Sequence, residues 1–235
     1  MTRVSSCMRV LAALTAVVLV TGAAVAAPDT PEGWKVAFKD DFEAGLDRWE
    51  MTDPAVWTAA EDNGGKTLSL TGSSNYQPPV RSPHSIARVK DLKVESFILN
   101  VDARQTGREY GHRDLCFFFG YQDAAHYYYV HIATKADPHA NSIFLVNGEP
   151  RVSIASERTD GTDWSEGYHK VRVTRCAETG AIEVFFDDME KPIMKAEDKT
   201  FLSGGIGLGS FDDVGNFDNI QILVPDRKPE ETTAK

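Results

Sequence analysis

Cysteine is scarce in this 235-residue chain: there are three, and Cys7 falls in the leader described below. Cys116 and Cys176 alone are too few for a metal cluster or a disulfide framework. Cys116 lies in the apolar run Leu115-Cys116-Phe117-Phe118-Phe119. It reads as a buried thiol, with a Cys116–Cys176 bond as the alternative. Positive charge is also short. There are 25 Lys and Arg against 35 Asp and Glu, a formal charge of −10. This balance lacks the basic footprint expected of a partner for nucleic acid or anionic lipid. Beyond residue 27 no apolar run approaches the ~20 residues of a membrane helix. Helical periodicity never lasts beyond about two turns, and there is no tandem repeat. A catalytic metal lacks its usual His-x-His or His-x-x-x-His pair.

What is present begins with a leader. Residues 1–9 carry Arg3 and Arg9 and no acid, and residues 10–27 are apolar apart from Thr15, Thr21 and Gly22. Ala24-Val25-Ala26 then supplies small residues at the −3 and −1 positions of a cleavage site. This pattern predicts a secretory signal peptide over 1–26, cut after Ala26. The mature chain is then expected in a periplasm or outside the cell, with no stable membrane insertion. Losing two arginines takes the formal charge from −10 to −12.

The remainder reads as strands and turns. Period-2 and β-rich runs recur, separated by Gly, Asn, Asp and Pro, the pattern of an all-β sandwich. Strands are predicted over 36–42, 67–71, 85–89, 96–103, 115–121, 127–132, 143–146, 152–154, 170–174, 182–186, 192–196, 205–209 and 217–223. Asn147-Gly148 predicts a tight turn. One domain over 33–223, followed by a polar disordered tail over 224–235, is the economical organisation.

Several segments together resemble the concanavalin A-like, laminin G-like jelly-roll superfamily. They are Phe38-Lys39-Asp40-Asp41-Phe42-Glu43 followed by Trp49, Phe119-Gly120-Tyr121-Gln122-Asp123 followed by Tyr127-Tyr128, and Tyr168-His169-Lys170-Val171-Arg172-Val173 followed by Phe186-Asp187-Asp188. Gly205-Ile206-Gly207-Leu208-Gly209 and Phe217-Asp218-Asn219-Ile220 complete the set. The nearest likeness is to secreted bacterial domains of the 3-keto-disaccharide hydrolase type. The resemblance implies an antiparallel two-sheet jelly-roll sandwich whose concave face receives a poly- or oligosaccharide. It covers binding modules, glycoside hydrolases and polysaccharide lyases, so fold does not fix function. Glucanases of this superfamily carry Glu-x-Asp-x-Glu, which sets nucleophile and acid about 5 Å apart. That spacing is absent. Glu183, Asp187 and Glu190 come closest, and Asp187-Asp188 reads as a turn.

Two constellations of polar residues remain. The first runs from Arg113 through His126, Tyr127, Tyr129, His131 and Lys135 to His139. On a strand, alternate residues share a face, so Tyr128, Val130 and Ile132 are expected in the core. Tyr127, Tyr129 and His131 would line the opposite face. Tyr rings suit the C–H face of a sugar, and His131 and Tyr129 with Arg113 are the residue types of a lyase's proton transfer and charge neutralisation. Tyr127, His126, Lys135 and His139 would then bind substrate. The second constellation is acidic. Asp40 and Asp41 near the first strand and Asp212 and Asp218 near the last could together hold a structural Ca²⁺ ion, which takes six to eight oxygens. A glycan-binding module is the leading expectation. A polysaccharide lyase or glycoside hydrolase, and a surface scaffold without a sugar partner, are the alternatives.

Overall fold

The computed structural model describes residues 30–62 and 64–226. The predicted signal peptide over 1–26 lies outside them. The first eight strands are β1 (Trp34–Asp40), β2 (Trp49–Met51), β3 (Trp57–Asp62), β4 (Gly65–Leu70), β5 (Ser85–Val89), β6 (Phe97–Gln105), β7 (Asp114–Asp123) and β8 (His126–Ala133). The second eight are β9 (Ser142–Asn147), β10 (Val152–Ser153), β11 (Glu157–Arg158), β12 (His169–Arg175), β13 (Ala181–Phe186), β14 (Met194–Glu197), β15 (Gly205–Ser210) and β16 (Gly215–Pro225). They form two antiparallel sheets. One has the order β11-β14-β13-β12-β6-β16-β4-β3, with β1 also paired to β16, and the other β10-β9-β8-β7-β15-β5-β2. First and last strands are thus neighbours. β16 continues past 223, because Trp34 pairs with Pro225 and Lys35 with Val224. That backbone pairing extends the domain into the segment read as a tail.

The sandwich follows from alternation. Phe97, Leu99 and Val101 on β6 and Val171 and Val173 on β12 point inward from the nine-stranded sheet. Phe117 and Phe119 on β7 and Tyr128, Val130 and Ile132 on β8 meet them from the other. Edge-to-face rings lock the layers: Phe97 with Phe119 at 5.6 Å and Phe117 with Phe217 at 6.1 Å between centroids. Such pairs add about 0.5–1.5 kcal/mol beyond area burial. Trp49, Trp57 and Trp164 are buried.

Three strands escaped the pattern. β2 and β11 are short, and β3 (Trp-Thr-Ala-Ala-Glu-Asp) has almost no β-branched content; pairing with β4 makes it a strand. Asn147-Gly148 does not close a two-residue turn. Gly148 takes a positive φ of 74°, but the ladder resumes only at Val152 opposite Leu145. The Gly148 and Arg151 amides instead donate to the Ala125 and Arg81 carbonyls.

Tyr128 ties the sandwich to the β14–β15 connection. Its hydroxyl donates to Asp198 and accepts from the Phe201 amide at 3.0 Å. Tyr128→Phe keeps the ring and loses both bonds. The expected cost is about 1–2 kcal/mol, read as a lower denaturant midpoint with an unchanged slope.

Candidate functional site

Tyr127, Tyr129 and His131 do share the face of β8 that points away from the core, as alternation predicts. That face is not open. Tyr127 is 1%, Tyr129 0% and His131 4% exposed. Tyr127 and Tyr129 join Ile86, Cys116, Phe118, Tyr121, Phe144 and Val146 in a second apolar cluster, against which Val80 packs, and the His131 ring lies against Tyr129 and Phe144. Phe118 and Phe144 stack on Tyr129 at 5.8 and 5.1 Å. The segment before β5 closes over them: Val80 packs against the cluster, the Arg81 carbonyl accepts from the Arg151 amide, and the His84 ring lies tilted against Phe211 at 5.2 Å. Burial pushes the Tyr129 and Tyr127 hydroxyls well above their ordinary pKa. A sealed, non-ionising tyrosine cannot exchange protons with a polymer, so the expected Tyr129/His131 proton-transfer pair has no access to substrate.

The other members of that constellation are dispersed. Arg113 is consumed by Gln105 Oε1 at 2.8 Å and by the Gln105 and Trp164 carbonyls at 3.0 Å each. It therefore does not stand beside Tyr129. His126 is near the surface and bound to Asp123 at 2.7 Å. The stem of Lys135 packs beside Gly111. The His139 carbonyl accepts from His131 Nδ1 at 3.1 Å and Arg151 Nη2 at 3.2 Å.

The expected calcium ligands also divide. Asp40 is buried and structural, accepting from the Phe42 amide at 3.0 Å and Trp49 Nε1 at 2.9 Å. Asp218 shares its surroundings with Asp41, Glu43 and Asp102. Asp212 instead groups with Asp114 and Asp213. It lies in the turn where the chain crosses from β15 in one sheet to β16 in the other, so the four do not make one cage.

The open polar site lies on the outer face of the nine-stranded sheet. The register builds it. Lys39 on β1 pairs with Gln221 on β16, Gln221 with Asn100 on β6, and Asn100 with Arg172 on β12. One row of outward side chains thus crosses four strands. Arg172 Nε donates to Asn100 Oδ1 at 2.7 Å, and Asn100 Nδ2 donates to Gln221 Oε1 at 3.3 Å. Next to it runs Asp218, Asp102 and Lys170, likewise in register. Asp102 accepts from Lys170 Nζ at 3.1 Å and from Asn219 Nδ2 at 3.0 Å.

A bulge in β16 interrupts its pairing between Asp218 and Gln221, and Asn219 takes a left-handed φ of 49°. Bulges re-aim side chains beside functional sites, and a non-glycine residue there stores strain. Asp41, Ala44 and Arg48 from the β1–β2 connection and Met189 from the β13–β14 turn wall a cleft of about 680 Å³. That volume lies within the range of small-molecule sites. Arg48 is held over the Phe38 ring at 4.0 Å and donates to the Lys39 carbonyl.

Asp218, at the rim, is pushed up to about 6. Burial is the main cause, the Asn219 amide opposes it, and Asp102, Asp41 and Glu43 add to it. A carboxyl raised in the folded state stabilises the protein at low pH, and that contribution is lost as pH rises through about 6. Asp218→Asn is expected to flatten this dependence. Thermal midpoints measured near pH 4 and near pH 7 would then fall with pH in the parent and fall less in the variant, where Asp213, likewise raised to about 6, still titrates.

Two antiparallel sheets with this order define a jelly-roll sandwich. Solved structures of the same fold include the carbohydrate-binding module CBM66 from Bacillus subtilis, with 16% identity and a TM-score of 0.54, over 76% of this chain and 97% of that one. Domain 4 of AbnA, an extracellular GH43 arabinanase from Geobacillus stearothermophilus in complex with arabinotriose, is 12% identical with a TM-score of 0.54, over 85% and 97%. Lectin I-B4 from Griffonia simplicifolia is 15% identical with a TM-score of 0.51, over 80% and 98%. No family model and no curated protein matches the chain.

Proposed function

We propose that this chain is an extracytoplasmic glycan-binding protein that holds an oligosaccharide in the cleft across β1, β16, β6 and β12. The observation that carries the reading is the pre-ordered double row of amide, carboxylate, ammonium and guanidinium groups in that cleft. Sugar hydroxyls need paired donors and acceptors, and Asn100, Asp102, Asn219 and Gln221 supply both kinds. Held in advance by one another, they lose little freedom on binding, which favours affinity. The module, arabinanase domain and lectin of the same fold are consistent with this use, and the leader over 1–26 fits an extracytoplasmic location.

A second reading has its own support. Asp218 and Asp102 are cross-strand partners, which sets their Cβ atoms about 4.5–5.5 Å apart. Asp218 keeps its proton to about pH 6. One protonated and one ionised carboxyl on neighbouring strands are the residue types of glycoside hydrolysis. The test is incubation with neutral and uronic-acid polysaccharides, with and without Ca²⁺, following binding, new reducing ends and unsaturated product together. Saturable binding without product supports the module. Reducing ends lost in Asp218→Asn support the hydrolase. Neither binding nor product on a broad glycan array would remove both.

A further inference from the structure

Beneath the segment that closes over β8 lies a cluster that the glycan reading does not use. Asp114 and Cys116 stand two apart on β7, hence on one face, and Cys116 pairs directly with His131 on β8. All three are buried, and one ligand atom of each lies within 4.8 Å of the others. His131 Nε2 is 3.1 Å from Asp114 Oδ2, and Cys116 Sγ is 3.5 Å from Asp114 Oδ1.

The tautomer decides what this cluster needs. His131 Nδ1 faces the His139 carbonyl at 3.1 Å. A carbonyl only accepts, so Nδ1 carries the hydrogen. In neutral imidazole Nε2 is then a lone pair, and it looks at a carboxylate oxygen, another acceptor. Without a proton of its own, Nε2 makes no hydrogen bond to the Asp114 oxygen 3.1 Å away. Something positive belongs between them, either a proton or a metal ion. A carbonyl-oriented imidazole with its other nitrogen free is the arrangement of a metal-bound histidine.

The ligand types suit a metal, since imidazole, thiolate and carboxylate are the donors that zinc takes. Tetrahedral Zn²⁺ with bonds of about 2.0 Å to N or O and 2.3 Å to S needs edges of roughly 3.3–3.5 Å, and three ligand atoms already within 4.8 Å of one another reach that by small side-chain rotations. Asp114 is also fixed from outside the cluster, accepting from Ser210 Oγ at 2.9 Å and the Phe211 amide at 3.2 Å. The Tyr129 hydroxyl, within electrostatic reach of Cys116 and Asp114, is buried without a partner.

We infer that Asp114, Cys116 and His131 form a buried structural site for a zinc-class divalent ion that pins β7 and β8 to the end of β15. Binding displaces the Cys116 thiol proton to solvent and forms a metal–thiolate bond, with no change of oxidation state. With all three ligands buried, the site serves stability and not turnover.

The test refolds the full chain in Co²⁺ or Zn²⁺, removes free ion, and measures retained metal and absorbance. Expected are one retained equivalent per chain and, with Co²⁺, a near-ultraviolet thiolate-to-metal band. Cys116→Ser should lose the band and Cys176→Ser should keep it. His131→Gln provides a second variant should Cys116→Ser fail to fold, and it should lose the retained metal. No retained equivalent in folded parent protein would overturn the site, as would a band that survives Cys116→Ser.

Discussion

Asp102→Ala should weaken oligosaccharide binding about 100-fold while leaving the fold intact. Asp102 anchors two other polar side chains of the cleft, Lys170 and Asn219. Its loss removes an acceptor for sugar hydroxyls and frees both neighbours. Hydrogen bonds to a charged group contribute about 1.5–3 kcal/mol each, and two at the lower figure give about 3 kcal/mol, or roughly two factors of ten. The stability effect is expected to be small. The Lys170 side chain is 59% exposed, and exposed ion pairs contribute about 0–1 kcal/mol. Calorimetric titration beside thermal unfolding separates the two. An affinity loss at an unchanged midpoint is the expected pattern. Unchanged affinity would place the sugar elsewhere.

Gly209→Ala should damage the fold more than any change in the cleft. Gly209 sits in β15, with Ile86 on one side and Cys116 on the other. A Cβ there would lie 1.9 Å from the Ser85 carbonyl oxygen and 3.2 Å from the Phe118 ring. The first contact is with backbone in the neighbouring strand, which cannot swing aside as a side chain would. Overpacking a core by a methylene costs about 1–3 kcal/mol, and a contact this short against backbone should reach or exceed the upper figure. The expected result is a denaturant midpoint lowered by at least that amount, or failure to accumulate folded protein. A midpoint within about 0.5 kcal/mol of the parent, the range of an ordinary surface change, would show that β15 moves away from β5 freely.

Much of the sandwich is legible in the residues because each sheet has one face in the core. Phe97, Leu99 and Val101, and Val171 and Val173, alternate cleanly, and the spaced glycines of β15 mark the close approach that Gly209 makes. The cleft was half visible in the same strands. Where odd positions of β6 and β12 point inward, Asn100, Asp102, Lys170 and Arg172 must point outward. What pattern cannot supply is the register that lines them up with Gln221 and Lys39, or the bulge that turns Asn219, since both depend on pairing between residues more than 100 positions apart. The Tyr127/Tyr129/His131 face misleads for a related reason. Alternation gives the side of a strand but not what covers it, and the cover comes from residues near Val80, in a segment with Pro78 and Pro79 and no strand signal.

The most direct test of where the sugar binds is an amide chemical-shift map of the labelled chain from residue 27 onward, titrated with an oligosaccharide that the glycan array selects. Shifts concentrated on Lys39, Asn100, Asp102, Lys170, Arg172 and Gln221 are the expected result. Shifts concentrated on residues 76–84 and on β8, with the cleft unmoved, would contradict it and return the site to the tyrosine face.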